Sequence, residues 1–322
     1  MKKSLILLSI SVLSMNLYAD TDEASKKSNV SETVVKKATD ESADKADELI
    51  TNRRFRASNG SLSKLSMNTQ MSYNGGSIDK PFAADRPNVS NAGDTTSIAG
   101  ISGSLNATYR LNKLNRINFG AGLQMLAPFN DSIQTSDPRA QKEFDNNRGE
   151  LDVANPRVSF THMNKFFGVQ TILNAGYTQY TASNLRDIGY LNKIGGSINT
   201  MYDFGGSKFS VGVLGVFDRN FFDNDSAALK KNQAETVWGF LPQAEYVIND
   251  KFNLRTIIRS NWYQNDRAGS PTDFTQRPIT QSVGLGISVN RDVFLYPNVQ
   301  FVHSDLQLAN TNIGFTANIN MF

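Results

Sequence analysis

The side chains of this chain that could do chemistry are few, and most are ionic. Its 322 residues include 2 histidines and no cysteine, which excludes thiolate metal sites and Cys nucleophiles. His303 stands beside Ser304 and Asp305. Neighbours at the end of a strand point apart, so this trio does not by itself make a nucleophile–base–acid relay. His162 falls in an expected tight turn, His162-Met163-Asn164-Lys165. Asp223-Asn224-Asp225-Ser226 has some calcium-loop character but lacks the glycine and the distal glutamate. No catalytic, metal or cofactor set emerges. What remains is a set of charges: Arg110, Arg157, Asp203, Glu245, Arg255 and Arg259. Counting across the turn at Asn249-Asp250-Lys251 places Glu245 opposite Arg255, with Arg259 further along the same face. That arrangement can hold anions, or it can tie inward loops and side chains together; both readings stay open.

The elements that must position these charges are strands. From Ser61 onward the chain breaks into short runs of strict alternation, the period of a strand with one apolar and one polar face. Ile101, Gly103, Leu105, Ala107 and Tyr109 alternate with Ser102, Ser104, Asn106, Thr108 and Arg110. Phe167, Val169, Thr171, Leu173, Ala175 and Tyr177 alternate with Gly168, Gln170, Asn174, Gly176 and Thr178. Twelve such runs can be traced, and Pro156 marks an interruption or a bulge in the fourth. Long and short connections alternate throughout. Gly205-Gly206 is expected to supply the positive φ of one short turn.

The N-terminal residues read differently. Lys2 and Lys3, an apolar run from Leu5 to Leu13, and Leu17-Tyr18-Ala19 have the form of a signal peptide covering 1–19. Without its two lysines the formal charge falls from +3 to +1, so no global field points to nucleic acid. Residues 20–58 are dense in Lys, Asp, Glu, Ala and Ser, with a thin apolar stripe, and read as a helical or disordered arm. Residues 59–322 form the strand-rich part. Mean hydropathy is −0.38 and no apolar run after the leader reaches helix-spanning length. Any lipid-spanning role must come from strands closed on themselves.

The final strand, Ile313 to Phe322, sets Ile313, Phe315, Ala317, Ile319 and Met321 against Gly314, Thr316, Asn318 and Asn320. It resembles the closing strand of Gram-negative outer-membrane β-barrels. The terminal Phe322 departs from that family's register, because Asn320 and Asn318 hold the positions on its own face. The resemblance implies an all-β, transmembrane, antiparallel up-and-down barrel of about twelve strands with both ends in the periplasm. It also implies a closing strand read by the outer-membrane assembly machinery. The apolar faces would then meet lipid and lipopolysaccharide.

Two aromatic belts are expected at the membrane interfaces. Tyr73, Tyr177, Phe217, Trp238, Trp262 and Phe301 would form the outer one, and Tyr109, Phe204, Phe209, Tyr246 and Phe252 the inner one. The polar faces would line a narrow wet lumen that loops or the arm could obstruct. The expected function is a porin-like channel for small hydrophilic solutes with at most weak anion preference. The alternatives are a structural or surface-interaction protein working through its long extracellular loops with a closed lumen and, third, a lipid hydrolase using His303. A homo-oligomer stays open.

Overall fold

The computed structural model describes residues 50–322 apart from 59–60, 88–96, 131, 134–140, 142–143, 146–148, 206, 224–232 and 322. The proposed leader, most of the arm, Phe322 and residues 224–226 of the acidic loop motif therefore lie outside the described residues. Twelve long strands are present: β1 (Leu65–Ser77), β2 (Gly100–Arg110), β3 (Asn115–Leu126), β4 (Asp152–Phe166), β5 (Val169–Gln179) and β6 (Tyr190–Asp203) in the first half. The second half holds β7 (Phe209–Phe222), β8 (Ala234–Val247), β9 (Phe252–Arg259, continued as Asn261–Asp266), β10 (Thr280–Ser288), β11 (Val293–Val302) and β12 (Asn312–Met321). Each pairs antiparallel with its sequence neighbours, and β12 pairs with β1, from Met67 opposite Met321 to Tyr73 opposite Phe315. The sheet is thus a closed barrel with no free edge.

The alternation sorts side chains between two surfaces. Apolar residues face outward and stay exposed, among them Phe119 at 56%, Phe240 at 54%, Phe160, Leu173, Ile194 and Phe315. Polar residues face inward and are buried, among them Asn106, Thr108, Gln170, Ser282, Asn298 and Asn318. The barrel is inside-out relative to a water-soluble protein. Ile313, Phe315, Ala317 and Ile319 share the outward face of β12, and Thr316 and Asn318 line the interior.

Local chemistry shifts several expected boundaries. The turn between β4 and β5 is Phe167–Gly168, not His162–Lys165: both residues have positive φ, 48° and 81°. Two successive positive φ angles are the geometry of a tight hairpin whose twist matches the strands, and glycine bears its share without strain. His162 therefore sits within β4, 2.7 Å from Asn115. Among the described residues Gly205 is not at positive φ. Pro156 does mark a bulge: Gly120 opposes Arg157, whereas Gly122 opposes Ala154. Asn155 there adopts φ 56°, and its side chain accepts bonds from the N–H groups of Thr181 and Ala182.

A second bulge overturns one assignment. Gln243 opposes Ile257, but Phe240 opposes Asn261, so β9 holds one extra residue around Ser260. A one-residue slip exchanges the faces of a strand. Trp262 consequently pairs with Gly239, which pairs with the lumen-lining Val216, and faces inward rather than joining the outer belt. Tyr263 takes the outward place and stacks on Trp238 at 4.5 Å.

Candidate functional site

The interior is closed at one end by the chain itself. The short-turn end of the barrel receives Ile50 to Ser58, of which Arg53–Ser58 is helix α1. Asn52 caps it, accepting a bond of 3.1 Å from the Phe55 N–H. Phe55 is 0% exposed and clusters with Ile50, Met163, Ile172 and Met201; Ala57 packs with Phe294 and Tyr296. These wall residues explain the odd bulky side chains on an otherwise small, polar inner face: they form an apolar socket.

Ionic groups surround that socket. Glu245, 3% exposed, stands opposite Arg255 in register, and its carboxylate lies 3.3 Å from the Arg255 guanidinium and 3.2 Å from that of Arg54. Asn52 and Asn253 donate to its other oxygen at 2.9 and 3.1 Å. Gln243 accepts from both Arg54 and Arg255. Asp203 accepts from Thr51 at 3.0 Å, Gln170 at 2.6 Å and Ser210 at 2.7 Å. At the rim, Arg53 bridges to the exposed Asp250 at 2.9 Å. A carboxylate buried this deeply is tolerable only with such a full set of donors.

Beyond the plug lies a cavity of about 670 Å³, lined by Asn68, Gln70, Asn118, Asn174, Asn199 and other polar side chains. Its ionic lining is one-sided. Arg54, Arg116, Arg157, Lys193, Arg255 and Arg259 border it against Asp218, which is 3.2 Å from Lys193. Arg157 donates to Asn106 at 2.7 Å and Arg259 to Ser282 at 3.1 Å; neither has a carboxylate partner among the described residues. From the first long loop, Arg86 is held down to about 10, chiefly by burial, with Arg259 adding to the effect. That loop meets the next one at Ala84, Ala127 and the buried Phe144.

Of the six charges singled out in the sequence, Glu245, Arg255, Arg157 and Arg259 converge on the interior. Asp203 anchors the plug, and Arg110 reaches the carbonyl of Ser61. Arg54, Arg116, Lys193 and Asp218 were missed. The last three fall at strand ends that run further than the apolar band suggested, although Arg116 already shared parity with Asn118. Around the exterior, Tyr177, Phe217, Tyr109, Phe204, Phe209 and Tyr246 are exposed, while Tyr73, Trp238, Phe252 and Phe301 are half-buried. Tyr73 is held by Phe82 and Phe129 at 6.4 and 5.6 Å, and Phe301 by the ring of His303 at 5.8 Å. His303 also bonds to Gln281 at 2.7 Å.

No protein-family model and no curated protein matches the chain. Solved structures that it resembles are outer-membrane porins and channels. The NanC porin is 10% identical, with 79% of this chain and 97% of that one covered and a TM-score of 0.41. The KdgM porin in complex with disordered oligogalacturonate is 8% identical, with 80% and 98% covered and a TM-score of 0.40. An outer membrane channel from Pseudomonas putida F1 is 9% identical, with 81% and 97% covered and a TM-score of 0.48. Likeness at this level carries no substrate across, and function has to be read from this chain's own residues.

Proposed function

We propose that this chain is an outer-membrane channel that passes small hydrophilic solutes, anions ahead of cations, and that Ile50–Ser58 closes its periplasmic end. The observation that supports it is the inversion of the barrel: exposed Phe, Leu, Ile and Val outside, buried Asn, Gln, Ser and Thr inside. In water such an exterior would aggregate; in hydrocarbon it is the favourable surface, and each long strand is paired with a neighbour on both sides. This placement brings lipid and lipopolysaccharide against the outer face and offers β12 to the assembly machinery. The excess of guanidinium groups over carboxylates in the cavity favours anion entry.

Planar-bilayer recording tests this reading. Folded protein is expected to give discrete current steps, with a reversal potential in a KCl gradient displaced toward that of chloride. Replacing Arg157 and Arg259 by Glu is expected to displace it toward potassium. An unchanged reversal potential would remove the anion preference. A second reading, a surface-interaction protein, draws on the mutual packing of the first two long loops around Phe144. In that reading the lumen is closed, and deleting those loops abolishes partner binding in a protein that does not conduct.

A further inference from the structure

We infer that the Ile50–Ser58 segment is a displaceable gate rather than a permanent filler, because the wall is already self-sufficient without it. This rests on the channel reading above and adds its regulation. A permanent plug would leave buried polar groups orphaned when withdrawn, which is costly. Here almost every wall group that the plug engages keeps a second partner within the wall. Glu245 retains the Arg255 guanidinium as an ion pair at 3.3 Å and the hydrogen bond from Asn253 at 3.1 Å. Asp203 retains Gln170 at 2.6 Å and Ser210 at 2.7 Å. Gln243 retains Arg255 at 3.2 Å and Asn199 at 2.7 Å. Gln170 keeps the bond that its amide N–H donates to Asp203, while its oxygen, which accepts from the Asn52 N–H, passes to the water that enters the socket, and Asp250 is open to solvent.

The way the segment is held agrees with this. Among the described residues, every hydrogen bond between Ile50–Ser58 and the wall uses at least one side chain: Thr51 to Asp203, the Asn52 N–H to the Gln170 side chain, and Arg53 to the Asn249 carbonyl. Among the described residues no ladder ties it to a strand, so it can leave without breaking the hydrogen bonds between the strands. One aromatic ring, Phe55, fills the socket of Met163, Ile172 and Met201. Withdrawal exposes that socket to water and removes Arg54 from the floor of the cavity, joining the cavity to the periplasmic end. A closed state fixed by Phe55, flanked by Ile50 and Ala57, and by a set of exchangeable polar and ionic contacts is a two-state element that either side can bias.

A reversible cross-link tests this in the full chain. The protein has no cysteine, so Arg53→Cys with Asp250→Cys introduces a single thiol pair at the rim, away from the buried carboxylate. A short bifunctional thiol reagent that a reductant cleaves would then fix the segment in place. In planar bilayers the unbridged protein is expected to show intermittent steps, the bridged protein to fall to baseline, and the reductant to restore the steps. Steps that persist in the bridged protein would overturn the gate and leave the channel standing. If the unbridged protein is silent while full-length Phe55→Asp conducts, the segment is a fixed plug and the gate is wrong. Silence of Phe55→Asp as well, with its barrel shown intact by heat-modifiable gel mobility, would remove the channel reading and the gate with it.

Discussion

Phe55→Ala is the substitution from which the closed state predicts the largest effect per atom removed. The ring is 0% exposed and touches the plug's own Ile50 as well as Met163 and Met201 of the wall. Truncating a buried Phe costs about 3–5 kcal/mol in a core that cannot relax. The socket here can rewet once the segment leaves, so the lower figure is the better guide, and about 3 kcal/mol is roughly a hundred-fold in an equilibrium constant. That loss falls on docking alone, since Phe55 belongs to no strand and no ladder contact is removed. Open probability in planar bilayers should therefore rise about a hundred-fold until it saturates, and the barrel's thermal transition should stay where it was. Phe55→Leu should fall between. An unchanged open probability for Phe55→Ala, or a large fall in barrel stability, would refute the reasoning.

Other outcomes follow from the same geometry. Glu245→Gln leaves the Arg54 and Arg255 guanidinium groups together without their carboxylate; breaking a buried pair costs about 3–5 kcal/mol, and ejecting Arg54 relieves most of it, so this variant should conduct more than the parent. Adding Arg54→Gln should then change conduction little, a coupling that a double-mutant cycle measures. The plug carries Arg53, Arg54 and Arg56 and no acid. Gating should therefore depend on voltage, with opening favoured when the periplasmic side is negative, at up to about 2.3 kcal/mol per charge per 100 mV; neutralising the three arginines should flatten that dependence. Gly168→Val forces a β-branched residue to φ 81° in the β4–β5 turn and should lower the barrel's thermal stability by about 1–3 kcal/mol without altering conductance.

Much of this architecture is written in alternation, which reports faces reliably wherever a strand stays regular. The pairing of Glu245 with Arg255 could be counted across a short turn because a tight hairpin fixes register. The same counting failed at Trp262, because the extra residue near Ser260 leaves no mark in composition. It failed again at β4–β5, where Phe166 and Phe167 continue an apolar run and Gly168 resembles another small lumen residue. That the arm could obstruct the lumen was legible, but the seat of the plug was not, for a different reason. Six helical residues have too little periodicity to announce a face, and Phe55 gains its meaning only from Met163, Ile172 and Met201, far along the chain. Those three could have served as a signal, being long apolar side chains on the polar face of their strands.

The most direct test of the central claim compares single-channel recordings of the full chain with those of a variant lacking residues 20–58. A gated channel predicts brief, intermittent steps from the full chain and long-lived steps of the same polarity preference from the truncated one. A truncated protein that folds as a barrel and yet leaves the bilayer sealed would contradict the claim that this lumen is a path for solutes.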